Sequence, residues 1–135
     1  IAVSWDFAAD SETLDSYPFE IDGAATPAQI DLRPSVRALV NDIVEGRPPG
    51  AISARFHRTV ARASAGLAET LLEEIGPVPV ALTGGVFQNA RLCSDIELRL
   101  SSKYEVLRHR EVPPGDGGIA IGQALIADAI LGDKG

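Results

Sequence analysis

The order of apolar and glycine-rich segments predicts an α/β fold with parallel strands. Residues 78–82 are a short apolar run and residues 104–107 read as a second strand, and each leads into a glycine-rich loop followed by a helical stretch. Apolar residues in the helical stretches recur at spacings of three and four, the period of a helix. Strand, helix, strand, helix in that order requires a right-handed crossover, and hence two strands side by side in the same direction.

Each element follows from local signals. Residues 1–33 are the least regular and are expected to be a connecting segment with one short strand, where Tyr17, Phe19 and Ile21 alternate before Asp22-Gly23 turns the chain. The acidic stretch from Asp10 to Asp15 falls in that connection. From Pro34 a helix is expected, with Val36, Leu39, Val40, Ile43 and Val44 on one apolar face and Gly46 and Pro48-Pro49-Gly50 ending it. A longer helix carries Ile52, Phe56, Val60, Ala63, Leu67, Leu71 and Ile75 as a continuous stripe, and Gly76-Pro77 stop it. Val78 to Leu82 lacks polar alternation and predicts a strand buried on both faces. Thr83-Gly84-Gly85-Val86-Phe87-Gln88-Asn89 is a loop, and the next helix turns Leu92, Ile96 and Leu100 inward. After the strand at Tyr104 to Leu107, residues 111–118 form a second loop and Ile119 to Leu131 a last helix rich in Ala and Gly.

Composition limits the function. The chain has 135 residues, of which 45% are apolar and 23% charged, the make-up of a globular domain and not of a disordered tail. A net charge of −7 argues against general affinity for nucleic acid or an anionic membrane. One cysteine excludes an intrachain disulfide and fits a reducing, cytoplasmic compartment. No apolar run approaches the ~18 residues that would span a bilayer. The first residues lack the basic start and apolar centre of a signal peptide, and there is no Met anywhere, so the chain is expected to begin partway into a longer protein.

In a parallel sheet, ligands bind outside the carboxyl ends of the strands. Both glycine loops follow a strand, so they are expected at one edge, in one crevice. Gly84 and Gly85 let backbone approach a ligand closely, and the following helix start offers N–H groups and a partial positive charge suited to a phosphate. Asn89 stands at that helix start, as an ordinary N-cap or as a ligand to ribose or base. In Pro113-Pro114-Gly115-Asp116-Gly117-Gly118 the flanking glycines leave the Asp116 carboxylate unshielded, available to cap the last helix or to bind a hard cation. One carboxylate is too few for a metal site, so other ligands would come from elsewhere. His57 reads as a half-buried, hydrogen-bonded histidine and His109 as a solvated one. Arg55, Arg58 and Arg62 make a basic stripe on one helix face, solvated by default or docked on an acidic partner. Cys93 reads as a small buried filler, because no base is spaced to activate it.

These motifs resemble a known family. Ala81-Leu-Thr-Gly-Gly-Val-Phe-Gln-Asn89, followed by Val112-Pro-Pro-Gly-Asp-Gly-Gly-Ile-Ala-Ile-Gly-Gln-Ala124, is similar to the C-terminal part of HypF, the carbamoyltransferase of nickel–iron hydrogenase maturation. Ala54-Arg-Phe-His-Arg-Thr-Val-Ala61 and Asp31-Leu-Arg-Pro34 fit the same family, and the match runs from about Tyr17 to Ile130. The loops resemble, more loosely, the TsaD family and antibiotic O-carbamoyltransferases.

The resemblance implies an actin-like ATPase (ribonuclease H-like) lobe, with a partial parallel sheet and packed helices. Residues 34–135 would be the second, nucleotide-binding lobe of a TsaD-like domain. It further implies that ATP and carbamoyl phosphate form carbamoyl-adenylate, and that the carbamoyl group passes to the C-terminal cysteine of a HypE-type acceptor protein. By that resemblance Gly84 and Gly85 hold the nucleotide phosphate, Asn89 lies near the adenosine and Asp116 completes a divalent-metal site. The family's His-x-x-x-His metal pair is not in this sequence, nor are its ribose-binding glutamate, acylphosphatase-like, zinc-finger and YrdC-like parts. The chain is therefore expected to need a missing N-terminal lobe and to be inactive by itself. A small-molecule O-carbamoyltransferase, a phosphotransferase of the same superfold and a non-catalytic nucleotide-binding or docking module share these features.

Overall fold

The structure is a computed structural model, and residues 8–132 are described. The signal-peptide reading of the first residues therefore lies largely outside the described residues. In chain order the elements are β1 (Glu20–Asp22), β2 (Gln29–Asp31), α1 (Arg33–Val44), α2 (Pro49–Ile75), β3 (Val80–Leu82), α3 (Ala90–Leu100), β4 (Val106–Arg108) and α4 (Ile119–Gly132). One-turn 3-10 helices at Gly85–Gln88 and Asp116–Gly118 interrupt the two glycine loops.

The core forms where α2 and α3 pack on β3 and β4. Ala61 and Ala65 of α2 meet Leu92, Ile96 and Leu100 of α3 over Leu82 of β3. Small alanines on α2 let α3 approach closely, and Leu100 is fully enclosed. β3 and β4 pair in parallel, with Val80 opposite Val106, Ala81 opposite Leu107 and Leu82 opposite Arg108. The order and direction of these strands are those the sequence predicts.

Three expectations change. The strand at 78–82 is not buried on both faces: Leu82 is buried, but Ala81 and its neighbour Leu107 are exposed. Among the described residues the pair has a helical layer on one face only. In α1 the apolar stripe points outward. Val36, Val40, Ile43 and Val44 are exposed, while Ser35 and Asp42 face the interior. The stripe on α2 also divides, with Ile52 and Ala63 buried and Phe56, Leu71 and Ile75 exposed. Periodicity identifies an apolar face, but a second body has to be present before that face is covered.

The strand expected near Tyr17–Ile21 is present as β1, and it has a partner the sequence reading lacks. β2 pairs with β1 antiparallel, Ile21 opposite Ile30. The Asp22 carboxylate accepts the N–H groups of Ala24 and Ala25 and turns the chain as expected. The hairpin lies close on α2: a Cβ at Gly23 would stand 2.8 Å from Thr70 Cγ2, and one at Gly66 would stand 2.8 Å from Ile21 Cδ1.

A buried polar cluster ties the early residues to both first helices. Tyr17, 1% exposed, donates its hydroxyl to Asp42 Oδ2 at 2.8 Å, and its N–H reaches Thr59 Oγ1 at 2.8 Å. Arg55 pairs with the same Asp42 oxygen and stacks 4.3 Å from the Tyr17 ring centre. Arg47 closes the other side, 3.0 Å from Asp42 Oδ1. Burial alone would raise the Asp42 carboxyl, but the Tyr17 hydroxyl and the Arg55 guanidinium outweigh it and hold the group below its ordinary 3.8. Burial, reinforced by the bond to Asp42, pushes the Tyr17 phenol up to about 12.

Arg55→Gln should destabilise the fold by about 3 kcal/mol in chemical denaturation, because it leaves a buried carboxylate with one cation fewer. Tyr17→Phe should cost less, about 1–2 kcal/mol. The Asp42 contribution is full above pH 3.8, the ordinary value, and is lost as pH falls through the lower folded value. The Tyr17 contribution is full below pH 10 and is lost as pH rises towards about 12. Acid unfolding of Arg55→Gln at the wild-type midpoint would show that this cluster is not the acid-sensitive one.

Candidate functional site

The site grows out of the parallel pair. Because β3 and β4 run the same way, the loops that follow them emerge at one edge, and there they touch. The Gly84 N–H donates to the Pro114 carbonyl at 2.7 Å. Gly84 has φ +106° and ψ 159°, a region that side chains exclude. A Cβ at Gly115 would stand 2.9 Å from Gln88 Nε2 and 3.3 Å from Gly85 Cα, so a side chain here would displace the Gln88 amide and crowd the opposite loop. A Cβ on Gly118 would come within 2.9 Å of the Pro113 carbonyl oxygen. The two loops, some 30 residues apart in sequence, thus meet at one edge of the parallel pair.

Each predicted residue has a distinct place in it. Gly84 is committed to joining the loops, and its N–H is already used. Gly85 is exposed, its N–H has no partner among the described residues, and a Cβ on it would meet nothing within 4 Å. Asn89 is the N-cap of α3, its Oδ1 accepting the Leu92 N–H at 2.9 Å. The cap leaves the Asn89 side-chain amide N–H groups available to a ligand. Asp116 opens the second 3-10 turn, exposed, and its carboxylate has no hydrogen bond or ion pair among the described residues. It does not cap the turn in which it sits.

The donor set bears on a metal. A free, exposed carboxylate held between glycines is a suitable hard oxygen ligand for a divalent cation. Among the described residues no three His, Cys, Asp or Glu side chains gather closely enough to hold an ion. Asp116 fits the role of one ligand, with the others supplied from beyond these residues.

Two features of this edge were missed or misread from the sequence. His109, expected to be solvated, is exposed but lies 3.0 Å by Nε2 from Thr83 Oγ1, linking the residues that follow β4 and β3. Its placement straight after the second strand was the available signal. Arg108 bonds Glu97 of α3 at 2.6 Å and lines, with His109 and Pro114, a small cavity of about 100 Å³ above Cys93. Cys93 is buried as expected, bonds the Phe87 carbonyl at 3.1 Å, and burial raises its thiol above the ordinary value. It has the character of a filler and not of a nucleophile.

His57 is buried on α2 with Nδ1 2.9 Å from the Ser53 carbonyl, which agrees with its reading as a hydrogen-bonded interior histidine. The basic stripe, in contrast, splits. Arg55 turns into the Tyr17–Asp42 cluster and also meets Asp15 at 3.2 Å, whereas Arg58 and Arg62 line a groove on the other side. A solvated stripe is therefore not what forms, because the early residues fold back over one end of it.

Comparison with known proteins agrees with this arrangement. The sequence profile described as "Carbamoyltransferase, Kae1-like Domain, second subdomain" matches residues 2–123. Carbamoyltransferase HypF of Rhodobacter capsulatus is 35% identical over 124 residues, which is 92% of this chain and 15% of that protein. The HypF of Synechocystis sp. is 31% identical over 114 residues, 84% of this chain and 14% of that protein. Among solved structures, full-length HypF in a phosphate- and nucleotide-bound form superposes with a TM-score of 0.85 at 35% identity, over 96% of this chain and 17% of that one. HypF from T. kodakarensis superposes with a TM-score of 0.70 at 25% identity. The chain spans only about a sixth of the length of these relatives. With its parallel pair, packed helices and joined glycine loops, it belongs to the HypF carbamoyltransferase family, as the second subdomain of the Kae1-like domain.

Proposed function

We propose that this chain is the nucleotide-facing lobe of a cytoplasmic carbamoyltransferase that uses ATP and carbamoyl phosphate, through carbamoyl-adenylate, to carbamoylate the C-terminal cysteine of a HypE-type acceptor during nickel–iron hydrogenase maturation. The observation that carries the reading is the contact of the two glycine loops at the carboxyl ends of β3 and β4, with Gly85, Asn89 and Asp116 around it.

The geometry supports a distinct role for each residue. The Gly85 N–H is free to donate to a phosphate oxygen of the adenylate, and the missing Cβ lets that oxygen come close. Gly84 and Gly115 hold the loops in register instead of touching the ligand. Asn89 fixes the start of α3 through Oδ1 and offers its amide N–H groups to ribose or base. Asp116 would hold one position of a divalent ion, which when bound stabilises negative charge on the departing phosphate. The acceptor thiolate attacks the carbamoyl carbon, the bond from that carbon to the phosphate oxygen breaks, and AMP leaves. Neither nucleic acid nor a membrane enters this reading. No helix among the described residues is long and apolar enough to cross a membrane.

The missing N-terminal lobe is the natural cover for the uncovered apolar surface. Every large apolar residue of α4 is exposed, from Ile121 at 46% to Leu131 at 70%, and the helix packs on little besides the turn before it. An apolar helix exposed all round is a buried helix whose surroundings are absent. The short length of the chain relative to its relatives supports this reading.

Three outcomes test these roles. In the full-length enzyme Asp116→Asn should reduce carbamoyl transfer at least about a hundredfold with the fold intact by circular dichroism; near-normal turnover would sink the ligand role. Gly85→Ala should leave stability within about 0.5 kcal/mol while weakening nucleotide binding, whereas Gly115→Ala should lower the melting temperature of the protein itself. If the two glycine variants behave alike in both measurements, the division of roles between the loops is wrong. Leu125→Glu should make the separate chain less prone to associate in sedimentation but destabilise the full-length protein by about 2 kcal/mol or more; equal stability of the full-length variant would mean that α4 is uncovered there too.

A further inference from the structure

A groove of about 530 Å³ runs between α2 and α3 beneath β1. Arg58, Arg62 and Arg99 line it together. Arg58 and Arg62 are one helical turn apart on α2, and Arg99 comes from α3. None of the three has an ion pair among the described residues; Arg62 donates to the neutral Ser16 hydroxyl at 2.6 Å. Two carboxylates share the groove. Glu69 is taken by Lys103 at 3.1 Å, and Asp95 keeps one buried oxygen without a hydrogen bond. Three guanidinium charges against one uncommitted carboxylate leave a surplus of two positive charges, on a chain whose net charge is −7. Such a surplus inside a groove attracts a compact dianion.

We propose that this groove binds the phosphate group of a phosphate monoester, at a site separate from the glycine loops. Asn89 and Arg99 stand at opposite ends of α3, about 15 Å apart along the helix, so the groove is a different place from the nucleotide crevice. Guanidinium groups suit the choice, because their planar forks bind phosphate oxygens in pairs. Two arginines one turn apart match one tetrahedral anion. Phe19 and Ile21 of the overlying segment and Leu98 of α3 supply apolar wall for the organic part of the ester. Burial, and then repulsion from Arg62 and Arg58, depresses the Arg99 guanidinium below its ordinary value, a penalty that a bound dianion relieves.

Calorimetric titration of the full-length protein, in buffer free of phosphate and sulfate, tests the site with phenyl phosphate, inorganic phosphate and oligoglutamate. Saturable binding of phenyl phosphate is expected, weakened by salt. Arg58→Gln and Arg99→Gln should each weaken it about tenfold or more, and Arg37→Gln, on the exposed face of α1, should leave it unchanged. Arg62→Lys, which keeps the charge but loses the fork, should fall between them. Tighter binding of the ester than of inorganic phosphate supports an organic ligand resting on Phe19 and Ile21; equal binding identifies free phosphate as the occupant. The proposal is overturned by any of three results with folded protein: no saturable binding, equal losses in Arg99→Gln and Arg37→Gln, or displacement of the ester by oligoglutamate at lower concentration. Should Arg99→Gln fail to fold, Arg58→Gln carries the same test.

Discussion

Parallel pairing of β3 with β4 is the constraint on which the site depends. An antiparallel pair would send the two following loops to opposite edges, and Thr83-Gly84-Gly85 and residues 113–118 would never meet. The parallel direction requires a crossover between the strands, and α3 supplies it, anchored through Leu92, Ile96 and Leu100 on Ala61 and Ala65 of α2. The core therefore fixes more than stability. It sets the separation at which the Gly84 N–H can reach the Pro114 carbonyl, and so brings the segments that carry Gly85 and Asp116 to one edge.

A second organising unit lies on the far side of α2. Asp42, from an otherwise outward-facing helix, gathers Tyr17, Arg55 and Arg47, and this binds residues well before the first helix into the body of the fold. The arrangement trades hydration of four polar groups for mutual hydrogen bonds, which holds only while every partner is present. Arg55 is thus committed to this cluster, while Arg58 and Arg62 of the same helix line the groove with Arg99.

Much of the edge where the glycine loops meet was legible in the residues. Glycines on both sides of Asp116, and the doublet Gly84-Gly85 after an apolar run, mark backbone that approaches closely or takes φ > 0, as Gly115 and Gly84 respectively do. Leu92, Ile96 and Leu100 were equally plain, since a short helix between two strands has only one layer to bury itself in. What could not be read depended on a second body. The stripes of Val36, Val40, Ile43 and Val44 on α1, and of the whole of α4, carry the helical period but not the identity of whatever covers them. Arg55 could not be separated from Arg58 by spacing alone, because its partner Asp42 lies in another helix. β2 spans three residues, too few for alternation to register, and the Thr83–His109 contact joins side chains 26 positions apart.

The poor packing of α4 has a consequence for the order of events during folding. At 14 residues it is about as long as the shortest helices that persist unaided in water, and the turn beside it lends little support. Its backbone amides should open and exchange with solvent long before those of α2 or α3 in the chain by itself. Asp116 stands immediately ahead of this helix, so its position is steadied only once α4 has been enclosed. Whatever encloses α4 therefore also steadies the segment that carries Asp116, so order in this helix and order at that carboxylate arrive together.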